Sequence, residues 1–475
     1  MDCSSQLTRS LSTPPIFHSL RRWCLLPTLL TGFAACAGGD DRDLVSSGVM
    51  GDVKPGDMDP GNGGADDDSG GTGAPSDPAG SEPLLDLGDF TPEEDSDCFD
   101  EEGYEFNVIW IANSMEGTVS KIDTRSAKEL ARYRTGPGEI SLSPSRTSVN
   151  LRGDVAVANR AGSVLKIAEK LELCVDADGD GEIQTSSGPD DVLPWGDDEC
   201  VIWYHEIGFD PTPPIHEGGI RAVAWDFDRG DDADADVDCY GRPNVWIGWR
   251  DVPSNNAVIR KLVGYSGETA DEVVVDNWQG HWNHGAYGGA IDPDGNFWAL
   301  GTQGTLIKVD GDDLTYDRWD HPEDLQIYGM AIDADGVPWM ASWLGKIWKF
   351  DLDQESFVEM YEISQNATPR NLRGLAIDLD GHAWIAGNTG CGLVRYDTKQ
   401  EKIVDEYIEL HNCVEPVGVS VDSDGDVWIV DRKAEHAYEL DADTYEHQIV
   451  SGLVAPYTYS DMTGAGLGLV VPPIE

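Results

Sequence analysis

Asp176, Asp178 and Asp180 stand two residues apart in the segment VDADGDGEI, residues 175–183. Carboxylates at positions 1, 3 and 5 of a loop, Gly181 at position 6 and the Glu182 carbonyl at position 7 are what a calcium ion needs on one concave side. Ile183 follows at the usual apolar position. Ser187 stands where a bidentate glutamate would close the loop, so the spacing leaves the last carboxylate to Asp190 or Asp191 along a different backbone path. No strong helical pattern flanks the segment, which argues for one structural Ca2+ rather than a paired sensor. Cys174 and Cys200 bracket it and are expected to bridge, closing an insertion over 172–203.

Acidic turns recur elsewhere: IDPDGNFW from Ile291, IDADGVPW from Ile332, IDLDGHAW from Ile377 and VDSDGDVW from Val421, with Trp-to-Trp steps of 41, 45 and 44 residues. A fixed period of this size means one repeated supersecondary unit. Within such a unit the Asp-x-Asp-Gly segment reads as a hairpin turn, with Asp capping it and Gly supplying a positive φ. The Trp reads as packing between units. A third strand follows each time: GTVSKID at Gly117, GSVLKIA at Gly162, NAVIRKL at Asn256, GTLIKVD at Gly304, GKIWKFD at Gly345, CGLVRYD at Cys391 and EHAYELD at Glu435. Four short strands per period predict an all-β, seven-bladed β-propeller. The first unit starts abruptly at Phe106 and the chain ends PYTYSDMTG, from Pro456. The C-terminal strand is therefore expected to complete the first blade and hide its edge.

The face away from the turns carries Arg221, Tyr287, Tyr328, Arg373 and Val417 just before the inner-strand Gly or Ala. Loops on that face add Arg160, Trp249, Arg250, Trp343, Asn388 and Arg432. Arginine with aromatic rings suits a planar, anionic or sugar-like ligand. The expected ligand-binding set is Arg221, Tyr287, Tyr328, Trp343, Arg373, Trp249 and Arg432. His281 and His284, in QGHWNHGAYGG, are weak candidates for a general base or metal ligand.

The formal charge is −56, with 88 acidic against 32 basic residues. That excludes nucleic acid as a partner, since phosphates need basic surfaces. Arg21 and Arg22 precede an apolar run, Cys24–Ala35, too short for a permanent span and of export-signal type. It ends Phe33-Ala34-Ala35-Cys36, which resembles the bacterial lipobox, so residues 1–36 read as a lipoprotein signal ending at Cys36, which is expected to be lipidated and to become the new N-terminus. Residues 37–97 are rich in Gly, Asp and Pro and predict a disordered tether. The folded domain then spans 98–475. Nine cysteines are present. Six follow Cys36, an even number that suggests three disulfides in an exported protein: Cys174 with Cys200, Cys391 with Cys413, and Cys98 with Cys239 by elimination.

The strands VDSDGDVWIV and IDPDGNFWAL, with GTLIKVD, resemble those of the streptogramin B lyase (virginiamycin B lyase) and NHL-type seven-bladed propeller superfamily over about 106–464. The resemblance implies the fold. The lyases of that family work with a top-face His, a second His and magnesium-held Glu residues. The matching positions here hold Tyr287, Tyr328, Arg373 and Val417, so no catalytic residue is carried over. The expected role is a monomeric, outer-membrane or cell-surface bacterial lipoprotein that touches the membrane through its lipid anchor only and binds a carbohydrate or protein ligand without catalysis. A lyase or hydrolase using His281 or His284 and a structural adhesion protein are the alternatives.

Overall fold

The computed structural model describes residues 107–138, 142–208, 218–227, 242–278, 280, 284–364 and 368–471. The expected signal and tether, Cys36, Cys98, Cys239 and His281 lie outside them. Among the described residues no helix is long and apolar enough to cross a membrane.

Seven antiparallel sheets follow one another along the chain, six of four strands and one of three. The innermost strands of the four-stranded sheets are Pro144–Val149, Ala222–Trp225, Tyr287–Ile291, Ile327–Ile332, Arg370–Ile377 and Pro416–Val421. Successive inner strands pack side by side, as the blades of a propeller do. The expected seven blades are present. Both disulfides expected among the described residues form, Cys174–Cys200 and Cys391–Cys413.

One hydrogen bond recurs through the blades. Oδ2 of the turn's first Asp accepts the indole N–H of the Trp six residues on: Asp292–Trp298 at 2.8 Å, Asp333–Trp339 at 2.7 Å, Asp378–Trp384 at 2.8 Å and Asp422–Trp428 at 2.8 Å. Oδ1 of the same Asp accepts backbone N–H groups inside the turn, as Asp333 does from Asp335 and Val337. The turn glycines take the left-handed φ this requires, 79° at Gly295 and 81° at Gly336. Blade 3 keeps the bond although an insertion separates the partners: Asp226 accepts from Trp246 at 3.0 Å. Each of these rings is essentially buried. Removing an indole of roughly 200 Å² from water is worth about 5 kcal/mol before entropy. Five Trp rings also lie under a cation from the neighbouring strand, Lys121, Lys261, Lys308, Lys349 or Arg395.

The C-terminal segment closes the first blade, but not as a regular strand. Asn113 and Pro456 form an isolated bridge, and Tyr457 N–H donates to the Ala112 carbonyl at 2.9 Å. The Ala112 N–H then turns to Oγ1 of Thr458 at 3.0 Å rather than to a carbonyl, which breaks the ladder. Further along, Trp110 N–H reaches the Met462 carbonyl at 2.9 Å. Asp461 repeats the turn carboxylate, accepting from the N–H groups of Thr463, Gly464 and Leu467. A six-residue helix, Ala465–Val470, follows in place of a Trp strand; it buries Leu467 and Val470 and packs on the inner strands of blades 4, 5 and 7. The sequence pattern did not announce it.

Blade 7 departs from the others in charge. Glu439 stands opposite Trp428, where the other rings face Lys or Arg. Asp422, Asp426 and Glu439 are all held above their usual carboxylate range, in each case chiefly by burial. Asp426 is pushed up to about 6, with Asp422, Asp441 and Asp424 adding repulsion to its burial.

Two outcomes are expected. Trp339→Phe should cost about 1–3 kcal/mol in chemical denaturation, because the half-buried Asp333 oxygen loses its donor. Adding Asp333→Asn should recover part of that, and an unchanged midpoint for Trp339→Phe would remove the bond from the account. For Asp426 the folded value lies above the unfolded one, so the ionised form disfavours folding. Melting temperature should therefore rise as pH falls from about 6 towards 4, within the limits set by other groups. Asp426→Asn should raise the melting temperature at pH 7.5 and remove this part of the rise; parallel pH profiles for parent and variant would contradict it.

Candidate functional site

At the channel end opposite the Asp–Trp turns, inner strands from different blades bring their aromatic and basic residues together. The hydroxyls of Tyr328, Tyr457 and Tyr459 form a closed triangle, with O–O distances of 2.7, 2.7 and 2.8 Å. Arg373 feeds this triangle: one Nη donates to Tyr459 at 2.7 Å and Tyr328 at 3.2 Å. Its other Nη meets Glu415 at 3.0 Å. The Asn388 amide, turned so that its oxygen faces Arg373, accepts from Nε at 2.7 Å. The Arg373 guanidinium also stacks on the Tyr328 and Trp343 rings, at 4.9 and 4.8 Å. A planar cation with this many fixed partners is rigid.

Three more arginines surround the triangle. Arg146 lies 4.7 Å over Tyr287 and 4.3 Å over Tyr459. Arg160 lies 4.3 Å over Tyr457, and Arg221 5.4 Å over Tyr287. All are buried, as are Tyr287, Tyr328, Tyr457, Tyr459 and Glu415. Burial, with Arg160 and Arg146 nearby, pulls the Arg221 guanidinium below the ordinary arginine value. Around this buried centre the rim is partly open: Trp343, Asn388 and Arg432 are half-buried and Lys433 is exposed. Glu415 gathers Arg373, Arg432 and Lys433 on its two oxygens.

Of the expected ligand set, the structure joins Arg221, Tyr287, Tyr328, Trp343, Arg373 and Arg432. Trp249 is not among them; Arg260 of its own blade covers its ring at 4.9 Å. His284 is buried, its ring 5.2 Å from that of Tyr287. The sequence pattern missed Arg146, Glu415, Tyr457 and Tyr459. Arg146 stands where blades 5, 6 and 7 carry Gly329, Gly374 and Gly418. A Cβ on Gly329 would lie 2.2 Å from the Arg373 carbonyl of the next blade. The Arg146 Nε donates to the matching carbonyl, that of Arg221, at 3.1 Å. Aligning PSRTSVN under PVGVSVD would have exposed the substitution.

The acidic insertion forms a second candidate site. Ligand oxygens of Asp176, Asp178 and Glu199 lie within 4.8 Å of one another. Glu199 Oε1 accepts from Ala177 N–H at 2.7 Å and Oε2 from Gln184 N–H at 2.8 Å, tying both ends of the loop. Asp180 faces Gln184 and the Glu182 N–H. Asp191 is held instead by Ser187, at 2.6 Å. The carboxylate expected from Asp191 is thus supplied to the cluster by Glu199, which the Cys174–Cys200 bridge places beside Asp176.

No protein-family model matches the chain, and no curated protein does. Solved structures do. A protein of unknown function from Desulfotomaculum acetoxidans DSM 771 is 10% identical, over 74% of this chain and 98% of that one, with a TM-score of 0.50. Virginiamycin B lyase from Staphylococcus aureus is 13% identical, over 66% and 87%, with a TM-score of 0.45. A streptogramin B lyase structure is 16% identical; the chain covers 65% of its length with 43% of its own, at a TM-score of 0.36. At these identities the likeness is one of fold, the seven-bladed β-propeller.

Proposed function

We propose that this chain is an exported, lipid-anchored propeller of a bacterial envelope that binds a carbohydrate at its channel mouth without acting on it chemically. The observation that carries the reading is Arg373, locked by Glu415, Asn388 and two tyrosine hydroxyls beneath the half-open Trp343 ring. A ring to stack on, fixed donors beside it and a cationic rim from Arg432 and Lys433 are what sugar recognition needs. The lyase chemistry of the similarly folded proteins is not assigned, because Tyr287, Tyr328, Arg373 and Val417 stand where those enzymes use histidine. Anchoring rests on Cys36 after its short apolar run and on the acidic tether that follows.

A glycan array with the whole exported chain tests this. Binding to a sugar class should fall at least tenfold in a Trp343→Ala, Arg432→Ala double variant. Equal binding by parent and variant would remove the mouth as the site; an empty array with capture of a defined envelope protein would replace carbohydrate by protein.

The insertion is assigned a structural Ca2+ held by Asp176, Asp178 and Glu199, with Asp180 and the Glu182 carbonyl completing the loop. Hard carboxylate oxygens on one concave turn fit that ion. Calcium at a hundred times Kd should add about 2.7 kcal/mol of stability, read as a melting shift reversed by chelator. Asp178→Asn should abolish the shift and Asp191→Ala should leave it intact. No shift in the parent would end the assignment.

A further inference from the structure

The Arg146 guanidinium is wholly enclosed, with 0% exposure. Its Nε donates to the Arg221 carbonyl at 3.1 Å and its Nη1 to the Ser145 carbonyl at 2.7 Å. Among the described residues its Nη2 has no hydrogen-bond partner. The two rings that sandwich it, Tyr287 and Tyr459, offer only their faces. Among the described residues no carboxylate pairs with it, although the chain as a whole is strongly acidic. A buried cation left with an open donor costs several kcal/mol unless something answers it.

The surroundings show where the answer would enter. Arg146 and Ser148 lie on the same side of one inner strand, two residues apart. Ser148, Tyr459 and Gly289 line a cavity inside the channel, whose lower wall includes Ala465, Gly466 and Leu467 of the C-terminal helix. Arg146 therefore sits between that cavity and the Tyr328–Tyr457–Tyr459 triangle. The C-terminal helix covers this cavity on the side away from Arg146.

Building on the carbohydrate reading above, we infer that the ligand is an acidic sugar, a uronate whose carboxylate seats on Arg146 Nη2 while its ring hydroxyls meet the tyrosine triangle. A carboxylate accepts the guanidinium N–H and also neutralises its charge, whereas the hydroxyl of a neutral sugar can only accept the bond. The contact is desolvated and so little screened. Affinity should therefore change little between low and physiological ionic strength, unlike that of an exposed ion-pair site.

Calorimetric titration of the exported chain with galacturonate and glucuronate, against galactose and glucose, tests this. Uronates should bind at least tenfold more tightly than their neutral parents, with little change in that preference between 10 mM and 150 mM salt. Arg146→Met should erase the preference while leaving the free protein as stable or more so, because an unanswered buried charge is gone. Neutral sugars binding as well as uronates would overturn the inference and leave the carbohydrate reading standing; no binding of either, with an empty glycan array, would overturn both. A large fall in melting temperature for Arg146→Met would make Arg146 a structural group and also overturn it. Arg146→Lys, which keeps the charge without the fork, should retain only part of the preference; full retention by Arg146→Met would count against the site.

Discussion

A buried carboxylate that accepts an indole N–H six residues away is the bond on which this propeller depends. One Asp oxygen gathers the N–H groups of a tight turn, and the other fixes the Trp of the next strand. The turn cannot shift without moving the ring, and the ring packs in the core of the propeller. The arrangement takes a group that is expensive to bury and satisfies it with donors that the fold must place there anyway. It also makes the acidic composition locally useful, since in blades 3 to 6 the cation over the ring compensates the carboxylate behind it. Lys308 and Lys261 both lie 3.8 Å from the turn Asp of their own blades.

The seam between the last and first blades is where this scheme is weakest. The first blade's inner segment comes from the far end of the chain, joins through one bridge, a further backbone bond from Trp110 to Met462 and side-chain hydroxyls, and leads to a helix instead of a Trp. Glu439 replaces the compensating cation in blade 7. Arg125 reaches Asp424 across the seam at 3.5 Å, but both are exposed and such pairs contribute little. Buried contacts do more: Thr463 Oγ1 donates to the Val421 carbonyl, and Met462 N–H to Ser420. Closure here rests on hydroxyls threaded between inner strands, not on surface charge.

Features carried by the period were legible in the sequence, because repetition averages out local ambiguity. Seven third strands, the turn glycines and the C-terminal closing segment all follow from it. Features that break the period were not. Asp226 and Trp246 form the same bond as their counterparts, yet the insertion between them hides the motif. Glu199 lies outside any loop window that starts at Asp176; only the cystine beside it betrays the approach. Arg146 hides because a strand residue lined up with glycines reads as noise until the close contact that demands those glycines is seen. Tyr457 and Tyr459 lie on the segment that closes the ring, and nothing in its sequence shows that their hydroxyls meet that of Tyr328 across the channel.

The same contrast separates the two ends of the channel. At the turn end the blades are copies, and copying is what packing needs. At the mouth the equivalent positions hold Ser145, Arg221, Tyr287, Tyr328, Arg373 and Val417, with Arg146 one residue further on where the other blades carry Gly or Ala, and the blades differ in the chemistry they offer. A propeller built only for rigidity would have kept a glycine or small residue at all of them. Instead several guanidinium groups are buried among tyrosines, which is a poor way to gain stability and a good way to hold donors still. Specific chemistry in a repeat fold is carried by departures from the repeat, and in this chain the departures converge on one end of one channel.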